Sequence, residues 1–289
     1  MQPPPKTPTR ILINELGFPA ALAVMRQPAR VLWFSGRLPA DGESAKGLSI
    51  VGSRAASRAG CRQARAMAEA AARSGRVVVS GGALGIDAAA HQGALDAGRP
   101  TFAVLGCGVD IVYPDRHAAL FAAIVAGGGG LLSEHPPGTP PRGKHFPSRN
   151  RIVVALAEAV LVVEANFASG ALVTARLAQA AGRRLLAVPG TPGTDGLINS
   201  GVARAVSDEQ DLLSALAGEP EAIRVTPPAF APLVDALASG GEARAPELAR
   251  RLGLSLAETL GLITQAELDG WISRRPPGTW VARGVTRGN

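Results

Sequence analysis

Aromatic side chains are scarce in this chain: seven Phe, three Trp and one Tyr make up 4% of 289 residues. A surface built from many stacked rings is therefore excluded. Cysteine is nearly absent as well. Cys61 and Cys107 form neither a CxxC pair nor a disulfide framework, and both read as small buried fillers suited to a reducing compartment. No apolar run reaches the roughly 18 residues that a membrane helix needs. Met1–Thr9 is Pro-rich and polar, unlike a secretory leader. These absences predict a soluble, cytoplasmic protein without membrane contact. GxxxxGK[ST] is missing, so a P-loop is not expected. A complete GxGxxG with an acidic residue about 20 positions on is missing too, so no dinucleotide cofactor is expected. No Ser/His/Asp or Cys/His set has a recognisable context, and no catalytic residue is assigned.

What the chain does have is positive charge. Its net charge is +7 and its pI about 10.6, with nearly all of the basic residues arginine. This favours a polyanionic partner, although an Ala/Gly/Arg-rich composition can also follow from codon usage. With 46% hydrophobic residues, the chain can bury one sizeable core and a smaller one.

The organising stretch runs from Ser49 to Leu95. Leu48–Val51 is a short apolar run ending at Gly52, and Arg58–Ala72 carries Ala and Met at helical spacing. Arg76–Ser80 is a β-branched run ending in Gly81–Gly82, and an Ala-rich helix follows from about Ile86. Two β-loop-α units in succession place two glycine-bearing loops side by side at the carboxyl edge of a sheet. Further strands are predicted at Arg30–Gly36 (at the sheet edge), Thr101–Leu105, Gly130–Ser133, Ala159–Glu164 and Arg184–Val188, with helices between them. The expected fold is α/β, a doubly wound Rossmann-like sheet spanning residues 28–218, behind a stub at 1–27. A linker at 219–230 leads to a small module at 231–284. Three helices and a hairpin there read as a winged helix. Pro246 opens its second helix, and Ser255 with Glu258 forms a capping box for the third.

Candidate binding residues cluster at the loops. Gly52, Ser53 and Arg54 form the first, where backbone N–H groups lie beside a planar, bidentate phosphate donor. Ser80, Gly81 and Gly82 form the second, with small residues that let a ligand come close. Asp87 and His91 share one helical face. A metal there lacks a third ligand of suitable spacing, so Asp87 is expected to cap its helix and orient His91 or an arginine. Lys144–Arg151 (KHFPSRNR) is the densest basic stretch. Arg149 and Asn150 are expected in the first turn of a helix beginning at Pro147 or Ser148, where the dipole favours an anion. Phe146 could stack on a base or lie in the core. Arg151 could contact a phosphate or pair with Glu164 or Glu158. Glu164 is expected to brace an arginine of the pocket.

VGSR, SGGALGIDAAAHQGAL, GCGVDIVYP, KHFPSRNRIV and SGALVTARLA–PGT follow one another as in the DprA/Smf family of DNA-processing proteins, which the chain resembles from about Pro28 to Leu216. The resemblance implies a homodimeric recombination mediator that binds and protects single-stranded DNA and loads RecA during natural transformation. It strengthens Arg54, Lys144 and Arg149 as contacts. It also implies a helical module ahead of the sheet, for which Ile11–Gln27 is too short. With so few rings, binding should be electrostatic and weakly dependent on sequence. One rival is a nucleotide-processing hydrolase: PGTPGTD at Pro189–Asp195 is similar to PGGxGTxxE but lacks its second Gly and its Glu. Another is a winged-helix regulator that reads duplex DNA. Against it, Leu256–Asp269 carries three carboxylates and no basic residue, so the module is expected to bind protein.

Overall fold

Uncharged four-residue runs at Leu48–Val51, Thr101–Val104, Gly130–Ser133 and Ala159–Val162 are buried at every position. Parallel strands covered by helices on both faces require this pattern. The computed structural model describes residues 8–167, 169–218, 229–268, 272–275 and 278–282. It divides into two compact units, Met1–Ile198 with Val202–Glu219, and Asn199–Gly201 with Pro220–Asn289.

The strands of the first unit are β1 (Thr9–Leu12), β2 (Val31–Gly36), β3 (Leu48–Val51), β4 (Val78–Ser80), β5 (Thr101–Val104), β6 (Gly130–Ser133), β7 (Ala159–Val162), β8 (Arg184–Ala187) and β9 (Arg204–Ala205). They form one sheet in the order β1-β2-β6-β5-β4-β3-β7-β8-β9. β3 to β9 are mutually parallel. β2 runs antiparallel to β6, and β1 antiparallel to β2. The expected edge strand at Arg30–Gly36 is therefore not the edge. Part of the expected stub, Thr9–Leu12, pairs outside it.

The helices are α1 (Ala20–Ala23), α2 (Asp41–Ser44), α3 (Arg58–Arg73), α4 (Ile86–Asp96), α5 (Ala118–Ala126), α6 (His145–Ala155), α7 (Gly170–Ala180), α8 (Pro192–Asn199) and α9 (Glu209–Ala217). None in the described residues is long and apolar enough to cross a membrane. Strand alternation sends Val79, Phe102, Val160 and Val162 into one core layer, and Leu48, Ile50, Val78 and Leu161 into the other. Met67 of α3 and Ile86 and Ala90 of α4 complete the second layer. Alanine-rich faces let α3 and α4 pack closely, and a Cβ on Gly93 would lie 2.1 Å from the Arg65 carbonyl oxygen. Only glycine fits there.

α6 begins at His145, earlier than expected, with Lys144 as its N-cap. Pro147 falls inside the first turn, where its missing N–H leaves no intrahelical bond unmade. Arg149 therefore lies in the second turn, and the argument from the first-turn dipole does not hold for it.

The second unit comprises α10 (Ala231–Gly240), α11 (Ala245–Leu252), α12 (Leu256–Leu268), β10 (Ile272–Arg275) and β11 (Thr279–Ala282), the two strands forming an antiparallel hairpin. Leu233, Leu237, Leu248, Ile263, Ile272 and Trp280 form its core. Ser255 and Glu258 make the expected capping box: the Ser255 N–H donates to Glu258 Oε2 at 2.9 Å, and the Glu258 N–H to Ser255 Oγ at 3.3 Å. Most of the expected linker, 219–228, lies outside the described residues.

Candidate nucleic-acid interface

The chain winds outward from β3 through β4 and β5 to β6, then returns to β3's other side as β7. Loops leaving the carboxyl ends of β3 and β7 thus diverge and open a crevice, the position where α/β sheets bind ligands. Glu164, just beyond β7, closes its floor. Its Oε2 accepts from the Ser57 N–H at 3.0 Å and the Ser57 hydroxyl at 2.8 Å, and its carbonyl accepts from the Ser53 N–H at 2.8 Å. The carboxylate therefore fills the anion position at the start of α3. It braces Ser57, the N-cap, and not the arginine expected from sequence.

The second loop is also closed from within. Ser80, Gly81 and Gly82 are buried, and the Ser80 hydroxyl donates to the Ile50 carbonyl at 2.6 Å. Asp87 Oδ2 accepts from the N–H groups of Gly81 (3.1 Å) and Ala83 (3.2 Å). Arg149 reaches the loop from α6, donating through Nη1 to the carbonyls of Gly81 and Val104. Its residue is 5% exposed. Burial pulls this guanidinium down to about 10 while Asp87 opposes the shift; burial pushes Asp87 up while Arg149 opposes that. Gly81 lies between them, and a Cβ there would be 2.5 Å from Arg149 Nη2 and 2.6 Å from Asp87 Oδ2. Ser80, Gly81, Gly82 and Arg149 are thus buried beneath the crevice, with the Ser80 hydroxyl, the Gly81 N–H and the Arg149 guanidinium already engaged within the protein.

His91 does not meet Asp87. Its Nδ1 lies 2.8 Å from the Thr101 hydroxyl, which itself donates to the Val78 carbonyl at 2.7 Å. Nδ1 therefore carries the proton, and the buried Nε2 has no partner among the described residues. Burial lowers this imidazole to about 3, with the charges of His117 and Arg149 adding to the effect. Cys107 is buried as expected and its thiol is pushed up to about 11, chiefly by burial. Cys61 is only half-buried, at variance with the sequence reading.

The open side of the crevice is different in character. Arg54 is exposed, with its guanidinium carbon 5.0 Å from the Phe146 ring centroid. Tyr113 stands beside Phe146 at 5.6 Å between centroids and 34° between planes. These three side chains, with Pro147, Asn150 and Val173, line a cavity of about 370 Å³. Lys144 and Arg142 are exposed nearby in sequence and carry no ion pair to a described residue. Arg151 is tied down, with Nη1 and Nη2 each 2.5 Å from the Glu134 carboxylate, a partner the sequence did not suggest. Tyr113 was also missed. Its only signal was its position, an aromatic preceding Pro114 in a glycine-rich loop after a strand.

A doubly wound sheet with a cation, two rings and an amide in the crevice at its switch point defines a Rossmann-like ligand-binding protein. A family model described as DNA recombination-mediator protein A matches residues 9–217. The chain belongs to the DprA/Smf family, whose members mediate DNA recombination and are not enzymes, so the hydrolase alternative is set aside. Protein Smf of Escherichia coli is 39% identical over 248 residues, covering 80% of this chain and 66% of that protein. The chain thus spans just under two thirds of that relative's length. The X-ray structure of DNA processing protein A from Streptococcus pneumoniae aligns with a TM-score of 0.66 at 34% identity, covering 73% of this chain and 75% of that one. The protein from Helicobacter pylori, solved for its single-stranded DNA binding mode, aligns at 0.65 and 27% identity, covering 73% and 96%.

Proposed function

We propose that the chain binds single-stranded DNA in this crevice and passes the strand to RecA, acting as a cytoplasmic homodimer during recombination or natural transformation. The observation that carries the reading is the exposed Arg54 guanidinium over Phe146, beside Tyr113, at the topological switch point. A cation on a ring suits a ligand that alternates phosphates with flat bases. Lys144 adds a second cation, Asn150 an amide, and Gly52 and Ser53 the backbone next to the strand end. The Helicobacter relative supports the choice of single strands, and the family description supports a role in recombination. RecA transfer and the dimer rest on the family resemblance. The second unit's three helices and hairpin suit a winged helix that touches protein.

Fluorescence anisotropy with labelled oligo-dT and oligo-dA tests this directly. Both should bind with similar affinity, because phosphate contacts carry no sequence information. No binding to either, or release of free base from nucleoside monophosphates by the purified chain, would overturn the reading.

A further inference from the structure

α3 leaves the crevice with an unusual distribution of charge. Its first turn holds no carboxylate, although the field there favours acidic side chains. Arg58 opens the helix and Arg62 follows one turn later. Both are exposed, and neither has a hydrogen bond or ion pair to a described residue. Arg65, next on the same stripe, is neutralised: its Nε lies 2.5 Å from Asp96 Oδ2, and Gln92 donates to Asp96 Oδ1 at 3.0 Å. Between the cations, Ala55 and Ala59 are exposed and present only methyl groups. The start of the helix is fixed to the crevice floor, since Ser57 is bonded through both N–H and hydroxyl to Glu164. Arg54, Arg58 and Arg62 thus stand four residues apart on a rigid path that leads out of the crevice. The helical step between Arg58 and Arg62, about 6 Å, resembles the step between phosphates of an extended strand.

We propose that a single strand held in the crevice continues along α3, placing successive phosphates on Arg58 and Arg62, and that this track ends at the Arg65–Asp96 pair. The proposal rests on the crevice reading. An anion between the two guanidiniums relieves the repulsion of like charges four residues apart on one helical face. α3 has no aromatic residue, so this segment of the strand is gripped by its backbone alone, without regard to base.

The test compares Arg58→Ala/Arg62→Ala with the unmodified chain on an oligo-dT of about six nucleotides and on one of about eighteen, a range that brackets common site sizes. Both substitutions lie on the surface, and an unchanged melting temperature checks the fold. The variant should bind the short oligonucleotide like the unmodified chain. On the long one it should bind about tenfold or more weakly at low salt, with a salt slope shallower by about 1.4, or about 0.7 for each phosphate lost. Arg58→Glu/Arg62→Glu should deepen the loss on the long strand only. Arg54→Ala, by contrast, should weaken both lengths. Wild-type affinity and slope of the double variant on the long strand would overturn the track. Equal losses on both lengths would overturn it too, because the charges would then act on the crevice as a whole. If the unmodified chain binds neither length, the crevice reading fails first and the track falls with it.

Discussion

The guanidinium of Arg54, on the loop after β3, lies 5.0 Å from the ring centroid of Phe146, in the first turn of α6. Each fixes the other. The ring holds the arginine over the cavity without neutralising it, so its hydrogen-bond donors remain available to a phosphate.

Arg54→Ala and Lys144→Ala should each weaken oligo-dT binding by about tenfold or more, the effect of losing a charged hydrogen bond of ~1.5–3 kcal/mol. Each should also flatten the salt dependence by about 0.7. Both side chains are exposed, so melting temperatures should stay unchanged. Anisotropy titrations across a salt series measure both effects, and an unaltered slope in the double variant would remove these residues from the interface.

Phe146→Leu and Tyr113→Leu separate stacking from simple apolar contact. If both rings meet bases, each loss should cost about 1–3 kcal/mol of binding with no change in salt slope. Phe146→Leu should also lower stability, since Phe146 packs on the Gly106 backbone. Tyr113 is 41% exposed and should affect affinity alone. Binding by Tyr113→Leu indistinguishable from wild type would make that ring a bystander.

Arg149 should matter to folding and not to contact. Arg149→Met removes the donors to the Gly81 and Val104 carbonyls and leaves buried Asp87 without its nearby cation. Leaving a buried charge uncompensated costs about 3–5 kcal/mol, which lowers the melting temperature of a domain this size by about 10 °C. Adding Asp87→Asn should recover part of the loss. A fully stable Arg149→Met protein that no longer binds DNA would return Arg149 to the interface.

Much of this architecture was legible because local pattern determines it. Short, mostly apolar runs marked seven of the strands where the sheet has them. β9 has two residues and β1 is largely exposed, so neither carried the pattern. The site was legible as motifs and much less so as roles. Arg54 lies on the loop where the sequence placed it, whereas Phe146 falls in the first turn of α6, which begins earlier than its pattern suggested. Whether Arg149 points inward depends on the carbonyls of β5 and the second loop, which periodicity does not encode. Arg151 finds Glu134, 17 residues away across a Pro-rich loop. Pairing of that kind is decided by tertiary geometry.

His91 sets an acid limit on stability. Its imidazole is held near 3 when folded and returns to its ordinary 6.5 on unfolding. Between those values the unfolded chain takes up a proton that the folded chain refuses, so stability falls as pH drops through this window. From pH 7 to pH 5 the loss is about 2 kcal/mol. His91→Asn retains an N–H for Thr101 and removes the titration. It should be less stable at pH 7 but flatter from pH 7 to 5, and an equally steep acid dependence of melting temperature would clear His91 of the role.

The second unit should not read duplex sequence, despite three helices and a hairpin. A helix that reads the major groove brings arginine, lysine or amides to base edges. On α12 the exposed side chains include Leu256 (47%) and Leu260 (43%), with Leu254 just before it. Its carboxylates are engaged at its ends, Glu258 with Ser255 and Glu267 with the Trp280 indole N–H at 3.3 Å. Acids and leucines facing a groove add repulsion and desolvation, not recognition. The nearby cations lie elsewhere: Arg251 is paired with Glu247 at 2.6 Å, and Arg274 lies over Trp280. The full chain, offered a pool of random duplexes at physiological salt, should therefore enrich no motif through repeated selection. Gln265→Ala should leave duplex binding unchanged. Emergence of a motif whose recognition Gln265→Ala abolishes would make α12 a groove reader after all, and would move the partner of this unit from protein to DNA.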